Sequence, residues 1–329
     1  MRLGIIGAGA MVEELLVHAA PRVAGLDVVG LLARPRSVER AQALADRTGV
    51  TLVTSDLDAL VAAGIDTVYV AAPNAVHAPY ARDALERGLH VVVEKPMTST
   101  AAEAQALRDL AVERGLLLFE AVTTVHLPAF AQIRAWLPRL GDVRLVQSQV
   151  CQYSRRYDAF RRGEVLPAFD PAQAGGALMD LGLYNLHLVM GLFGDPTSAV
   201  YTPNVERGID TSGVLVLQYP GLVATLTAAK DSAGPRGALI QGTAGRIRTS
   251  DAPNVLGTVT LELDDGTVET LEDHGAPADR LVTEFDWFVR VLADGDRDAC
   301  YAALDRSVAV SRVQTAARLA AGIRFPADG

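Results

Sequence analysis

The sequence predicts an α/β fold: a doubly wound parallel sheet, followed by a second α/β domain with an open, mostly antiparallel sheet. Three observations lead to this prediction. Apolar strand patterns alternate with helical patterns up to about residue 120, and several of those helices end at a glycine. A pair of glycines directly follows the first strand. Beyond that point the alternation is replaced by strand patterns separated by turn residues.

The elements of the first part follow from their hydrophobic patterns. We predict strands at residues 3–6, 28–32, 67–72, 90–94 and 116–120. The helices predicted between them are 11–20, 37–48, 56–63, 78–87 and 100–114. Strands that are apolar throughout are typical of a parallel sheet covered on both faces, and right-handed crossovers make such a sheet doubly wound.

The second part has a different pattern. We predict helices at 128–137 and 176–193, and strands at 143–153, 199–205, 212–219, 222–229, 238–241, 258–263 and 267–271. Two further helices are predicted in the tail, at 280–292 and 302–321. We therefore expect a first domain at 1–121 and a second at 122–329, with tail helices able to pack back on the first.

Composition excludes several classes of protein. The chain has 329 residues, half of them apolar, which suits two domains. Its net charge of −9, without a basic cluster, argues against nucleic acid or an anionic membrane as a partner. Apolar runs are broken by glycine or charge, and the N-terminus lacks a signal-peptide pattern. Cys151 and Cys300 are not spaced as in a metal-binding motif or a redox motif, so we expect no bound metal. Two reduced cysteines and the absence of a signal-peptide pattern lead us to expect a cytoplasmic location.

The first glycines predict a dinucleotide site. Gly7 allows a tight turn after the first strand, and Gly9 lets the backbone approach a pyrophosphate. The next helix begins at Ala10 and Met11, and its N-terminus attracts the negative charge of the pyrophosphate. Val12 departs from the usual pattern, because that position is normally Gly or Ala. An ordinary strand–turn–helix without a ligand is the alternative interpretation.

The end of the second strand favours NADP over NAD. A site that prefers NAD places an acidic residue there to bind the ribose hydroxyls, but this chain has Arg34, Arg36 and Ser37, which suit a 2′-phosphate. Asp27 lies at the wrong end of the strand. The alternative is that both arginines are solvated loop charges.

A lysine lies where a parallel sheet binds its ligands. Glu94, Lys95 and Pro96 end a buried strand, so Lys95 emerges partly desolvated and becomes a usable proton donor or acceptor. A lysine that merely caps the strand end is the alternative. Three other groups of residues are candidates to line the cofactor or the substrate: Ala72, Pro73, Asn74 and His77; His126; and Tyr153, Arg155, Arg156 and Tyr157.

Polar residues interrupt an otherwise apolar helix in the second part. If residues 176–193 are helical, Asp180, Tyr184 and His187 share one face. Burying a carboxylate, a phenol and an imidazole costs free energy unless they are paired or used. These residues are therefore candidates for catalysis, and a satisfied polar network between elements is the alternative.

Taken together, these motifs resemble the glucose–fructose oxidoreductase, inositol dehydrogenase and rhizopine catabolism (Gfo/Idh/MocA) family over nearly the whole chain. The resemblance implies an N-terminal Rossmann domain, and a C-terminal open sheet that forms homodimers or homotetramers. It implies that Lys95 and Asp180 lie at the substrate and the nicotinamide, and that Tyr184 is the acid/base. Inositol-dehydrogenase-like members have histidine at the position of Tyr184 and tend to have an acid at that of His187, which argues against an inositol substrate.

The expected activity is hydride transfer between nicotinamide C4 and a carbinol or keto carbon of a sugar-like or cyclic polyol substrate, with NADP preferred and NAD as the alternative. The expected catalytic residues are Lys95, Asp180, Tyr184 and His187. The expected cofactor-binding residues are Gly7, Gly9, Ala10, Met11, Arg34, Arg36, Ser37, Ala72, Pro73, Asn74, His77, Glu94 and Lys95. The expected substrate-binding residues are Lys95, His126, Tyr153, Asp180 and Tyr184. Two other functions stay open: a dinucleotide-binding sensor without net turnover, and an NAD-dependent hydrolase that uses transient oxidation.

Overall fold

A computed structural model describes residues 1–272 and 278–329. The chain divides into two compact units. The first unit contains Met1–Ala121 and Ala276–Val308, and the second contains Val122–Gly275 and Ala309–Gly329.

The first unit is built on six parallel strands in the order β3-β2-β1-β4-β5-β6. The strands are β1 Arg2–Ile6, β2 Asp27–Leu32, β3 Leu52–Thr54, β4 Thr67–Val70, β5 His90–Glu94 and β6 Leu118–Ala121. This order confirms the predicted doubly wound parallel sheet. Strand β3 is absent from the sequence-based prediction, because it is three half-buried residues at the sheet edge, too short to show a period.

Five helices follow the strands of this sheet. They are α1 Ala10–Glu14, α2 Val38–Thr48, α3 Leu57–Ala62, α4 His77–Glu86 and α5 Ala101–Arg114. Helix α1 continues as a π-helical segment, Leu15–Ala19. Helices α2 and α5 end at Gly49 and Gly115, which adopt left-handed backbone conformations with φ of 78° and 63°. Glycine accepts this conformation without steric cost, which explains why it marks these helix ends.

The second unit is built on eight strands in the order β14-β13-β12-β11-β7-β10-β9-β8. The strands are β7 Val143–Cys151, β8 Ser198–Glu206, β9 Ile209–Tyr219, β10 Leu222–Ala229, β11 Arg236–Gly242, β12 Gly245–Thr249, β13 Val259–Leu263 and β14 Val268–Leu271. Strands β7 and β10 pair in parallel and every other pair is antiparallel, which confirms the mostly antiparallel sheet.

Three helices share one apolar core with this second sheet. They are α6 Pro128–Trp136, α7 Arg155–Arg161 and α8 Leu183–Phe193, and a π-helical segment, Leu178–Gly182, leads into α8. Helix α8 packs its leucines against buried residues of β7, β9 and β10 in one apolar core. Residues on the opposite side of these strands and of β8, including Leu145, Val200, Val214 and Val223, are exposed.

Two helices end the chain, α9 Asp279–Asp294 and α10 Arg297–Ala320. Helix α9 packs Leu281, Phe285 and Phe288 into the core of the first unit, where the rings of Phe285 and Tyr69 meet edge to face with centroids 5.5 Å apart. The boundary between the two units falls within α10.

One helical stretch among the described residues, Pro171–Phe193, is long and apolar enough to span a bilayer by length and composition. It is an exception to the expectation that apolar runs stop well short of a span. Its apolar window is 67% buried inside the structure, as in the core helix of a domain.

Candidate active site

The turn after β1 has the geometry that a pyrophosphate requires. Gly7 has a φ of +127°, and a Cβ there would lie 2.3 Å from the Ala71 carbonyl oxygen. Gly9 is the N-cap of α1, and a Cβ there would meet nothing within 4 Å. Only glycine therefore fits at Gly7, whereas Gly9 faces open space beside the N-terminus of the helix. Residues at this turn fit the phosphates of a dinucleotide.

The position where the glycine pattern departs from its usual form belongs to the core. Val12 is fully buried among apolar residues of the first unit. The helix therefore packs on the sheet through a larger side chain than the usual glycine or alanine.

The loop after β2 carries the residues predicted to select NADP. Residues Pro35–Ser37 form a 3₁₀ turn, in which the Ser37 hydroxyl donates to the Arg34 carbonyl at 3.1 Å. Arg36 is exposed in this turn. Asp27 begins β2 and forms a salt bridge with Arg2 at 2.8 Å, so this acid lies at the opposite end of the strand.

His77 joins the loops that follow β4 and β5. Its Nδ1 lies 2.8 Å from the Pro96 carbonyl oxygen and its Nε2 lies 2.8 Å from the Ala72 carbonyl oxygen. A neutral ring donates to one of these oxygens, whereas the imidazolium donates to both. Burial lowers the pKa of His77, and the two carbonyl groups act in the opposite direction. The side chain is buried and holds the backbone that carries the predicted cofactor residues Pro73 and Asn74.

The strand end at Lys95 is surrounded by buried carboxyl groups. Glu94 accepts hydrogen bonds from the Tyr69 hydroxyl and from the Lys95 amide, the latter at 3.2 Å. Burial raises the pKa of Glu94 more than Tyr69 and Lys95 lower it. Glu120 accepts from the Met97 amide at 2.8 Å. Lys95 itself is half-buried, as predicted for a lysine that leaves a buried strand.

Asp180 belongs to the π-helical segment before α8, and its partner is a second lysine. The Lys230 ammonium donates to Asp180 Oδ2 at 2.7 Å and to the Ala168 carbonyl at 3.0 Å. Sequence reasoning missed Lys230. One signal was available, because the chain contains only two lysines, Lys95 and Lys230, among its 30 basic residues.

The predicted common face of Asp180, Tyr184 and His187 is only partly observed. Asp180 and Tyr184 are both half-buried, and Leu181 between them is half-buried too. His187 is 1% exposed, among the buried residues of α8. The π-helical segment ends at Gly182, before Tyr184 and His187, so it alters only the spacing between Asp180 and the other two residues.

The other predicted substrate residues lie elsewhere in the second unit. His126 ends a 3₁₀ turn before α6 and is half-buried. The Tyr153 hydroxyl donates to Asp158 at 2.6 Å, and the Tyr157 hydroxyl donates to Glu206 at 2.6 Å. The bond to Glu206 raises the pKa of Tyr157 to about 12, which makes this phenol a poor acid/base near neutrality.

The described residues contain no group of three or more His, Cys, Asp or Glu side chains placed to hold a metal ion. Cys151 and Cys300 are both buried free thiols. Burial raises the pKa of Cys300 to about 12, so this thiol stays protonated near neutrality.

Comparisons with known proteins agree with this fold. A family model described as "Oxidoreductase family, NAD-binding Rossmann fold" matches residues 1–122, and one for the GFO/IDH/MocA C-terminal domain matches residues 130–248. The scyllo-inositol 2-dehydrogenase (NADP(+)) of Bacillus subtilis is 32% identical over 100% of this chain and 99% of its own. The D-xylose 1-dehydrogenase (NADP(+)) 2 of Haloferax volcanii is 30% identical over 96% of this chain and 95% of its own.

Solved structures share the fold at lower identity. Levoglucosan dehydrogenase, in complex with NADH and levoglucosan, has a TM-score of 0.84 at 19% identity, over 98% of this chain and 97% of its own. A 3-ketoreductase from Actinomadura kijaniata, in complex with NADP and TDP-benzene, has a TM-score of 0.82 at 23% identity, over 97% of both chains.

The parallel sheet and its glycine turn define a dinucleotide-binding oxidoreductase. The chain belongs to the Gfo/Idh/MocA family, as its motifs predict.

Proposed function

We propose that this protein is an NADP-dependent dehydrogenase or reductase that acts on a sugar-like or cyclic polyol substrate. The observation that carries the proposal is the pair Asp180 and Tyr184, which stay half-buried where the neighbouring positions of the helix are mostly buried. A carboxylate can bind a substrate hydroxyl, and a phenol four residues away can protonate a carbonyl oxygen as it is reduced or accept the proton of a hydroxyl as it is oxidised.

The preference for NADP rests on the loop after β2. Arg34, Arg36 and Ser37 offer two guanidinium groups and a hydroxyl at the strand end, and that end carries no acid to bind a free ribose. The names of the relatives from Bacillus subtilis and Haloferax volcanii also specify NADP(+). When bound, the nicotinamide supplies the hydride donor or acceptor.

The protein supplies proton transfer and orientation. Tyr184 passes the proton to or from the reacting oxygen. The Lys95 ammonium stabilises the negative charge that develops on that oxygen or on the phenol. Asp180 orients a substrate hydroxyl, and His187 holds Tyr184 from the buried side of the helix. His126 and Tyr153 are the remaining candidates for substrate contact.

Substitutions test these roles. Absorbance at 340 nm follows turnover with a panel of cyclic polyols and aldoses that includes scyllo-inositol and D-xylose. Lys95→Ala and Tyr184→Phe should each lower kcat by about 10²-fold, the usual size of an acid–base contribution, and leave NADPH affinity intact. Tyr219→Phe is the matched control, because the Tyr219 hydroxyl donates to the Gly194 carbonyl, at 3.1 Å, and has no role in the proposed mechanism. Normal turnover in either test variant would remove that residue from the mechanism.

We also propose that the chain forms homodimers or homotetramers through the open face of its second sheet, and that it works in the cytoplasm. Exposed apolar residues on that face, among them Leu145 and Val200, support the first proposal. Light scattering of the purified protein tests it, and a monomer at micromolar concentration would contradict it. Cell fractionation tests the location.

A further inference from the structure

Lysine is rare in this chain, and its two positions are distinctive. Of the 30 basic residues, only Lys95 and Lys230 are lysines. Lys95 belongs to the motif at the end of β5. Lys230 directly follows β10, where it is 2% exposed. A lysine is almost never this buried unless it is paired.

The surroundings of Lys230 balance its charge. Its ammonium contacts Asp180 Oδ2 at 2.7 Å and the Ala168 carbonyl at 3.0 Å, and it lies 4.9 Å from the centre of the Phe169 ring. The side chain of Lys230 is 3% exposed, whereas that of Asp180 is 32% exposed. Only the aspartate can therefore meet a substrate, and Lys230 can act on a substrate only through Asp180.

The backbone at Lys230 is fixed on both sides. Its amide donates to the Thr211 carbonyl at 2.8 Å, and its carbonyl accepts from the Ser154 amide at 2.9 Å. The neighbouring strand also fixes the helix that carries Asp180, because Asp210 accepts from the Leu178 amide at 2.7 Å. The π-helical segment is thus held at its first residue by Asp210 and at Asp180 by Lys230.

We propose that Lys230 is a positioning residue, which holds the Asp180 carboxylate in one orientation toward a substrate hydroxyl. This rests on the proposed role of Asp180 in binding substrate. The compact ammonium suits the position, because it contacts a carboxylate oxygen and a carbonyl oxygen at once in little space. A planar guanidinium needs a wider arrangement of acceptors, which explains why this position is a lysine although 28 of the 30 basic residues are arginines.

A double-mutant cycle tests the proposal. The four proteins are the wild type, Asp180→Asn, Lys230→Met and the double variant, with scyllo-inositol and NADP⁺ as the first probe and the best substrate of the panel as the second. If Lys230 acts through Asp180, Lys230→Met should lower kcat/KM about 10-fold or more alone and less than about 3-fold in the Asp180→Asn background. NADPH affinity should be equal in all four proteins.

The decisive comparison is the double variant against Asp180→Asn. In Asp180→Asn the amide oxygen can still accept from the Lys230 ammonium, and the double variant contains neither charge, so the comparison stands even if Lys230→Met alone fails to fold. A double variant that is 10-fold slower than Asp180→Asn at the same Tm would overturn the proposal, as would Lys230→Met with wild-type kcat/KM. Failure of the wild type to turn over any panel compound would instead overturn the proposed function, and with it the reaction that Lys230 serves.

Discussion

Two alanine substitutions in the glycine turn separate folding from cofactor binding. At Gly7 an added Cβ would lie 2.3 Å from a backbone carbonyl oxygen, and the backbone φ of +127° is strained for any L-residue. Such strain costs about 1–3 kcal/mol, and the enforced shift costs about as much again. At Gly9 the Cβ meets nothing within 4 Å, and the backbone is extended, so folding should tolerate alanine.

The expected results for the two variants differ in kind. Since 1 kcal/mol shifts Tm by about 2–4 °C in a domain of about 150–250 residues, Gly7→Ala should lower Tm by roughly 5–25 °C and weaken NADPH binding. Gly9→Ala should leave Tm within a few degrees of wild type, yet weaken NADPH at least ~10-fold, because the methyl occupies the space of the pyrophosphate. Differential scanning fluorimetry and a fluorescence titration with NADPH measure both quantities. Wild-type NADPH affinity in Gly9→Ala would refute the assigned phosphate position.

Two further predictions concern charge. Replacing Arg34 and Arg36 by alanine should raise KM for NADP⁺ about 10–100-fold and change KM for NAD⁺ little, since each charge-assisted hydrogen bond is worth about 1.5–3 kcal/mol. Initial rates measured with both cofactors test this prediction. Equal changes in the two KM values would contradict the 2′-phosphate assignment. Burial, with Glu94 and Glu120 nearby, raises the pKa of Glu284 well above its usual value. The folded state therefore holds a proton that the unfolded state loses, and stability falls as pH rises from about 4.5. Glu284→Gln should remove this loss of stability. The variant's urea midpoint should therefore exceed that of the wild type by more at pH 8 than at pH 5. An equal difference at the two pH values would contradict the prediction.

Secondary structure was predictable where an element is long enough to show a period. Strands β5 and β10 have the predicted bounds, 90–94 and 222–229. Strand β12 and helix α7 were missed. The first has five residues beginning with glycine, and the second has seven residues in an arginine-rich stretch. Neither repeats its pattern often enough to be distinguished from a loop.

The site was less predictable, because it depends on contacts between distant parts of the chain. The partner of Asp180 lies 50 residues further along, and no local pattern links Lys230 to it. The burial of His187 depends on which elements pack against α8, which a period of 3.6 residues cannot anticipate. The glycine turn was predictable because its chemistry is local: the close contact at Gly7 and the open space at Gly9 occur within one strand–turn–helix unit.

A single turnover with labelled cofactor tests hydride transfer most directly. The enzyme is mixed with NADPH carrying deuterium at both C4 positions and with the keto compound that corresponds to the best polyol of the panel. Mass spectrometry of the product should then show one deuterium on the carbinol carbon, with the rate constant for its formation falling about 10²-fold in Lys95→Ala and Tyr184→Phe. Unlabelled product, or bound NADPH that is never oxidised, would contradict the account.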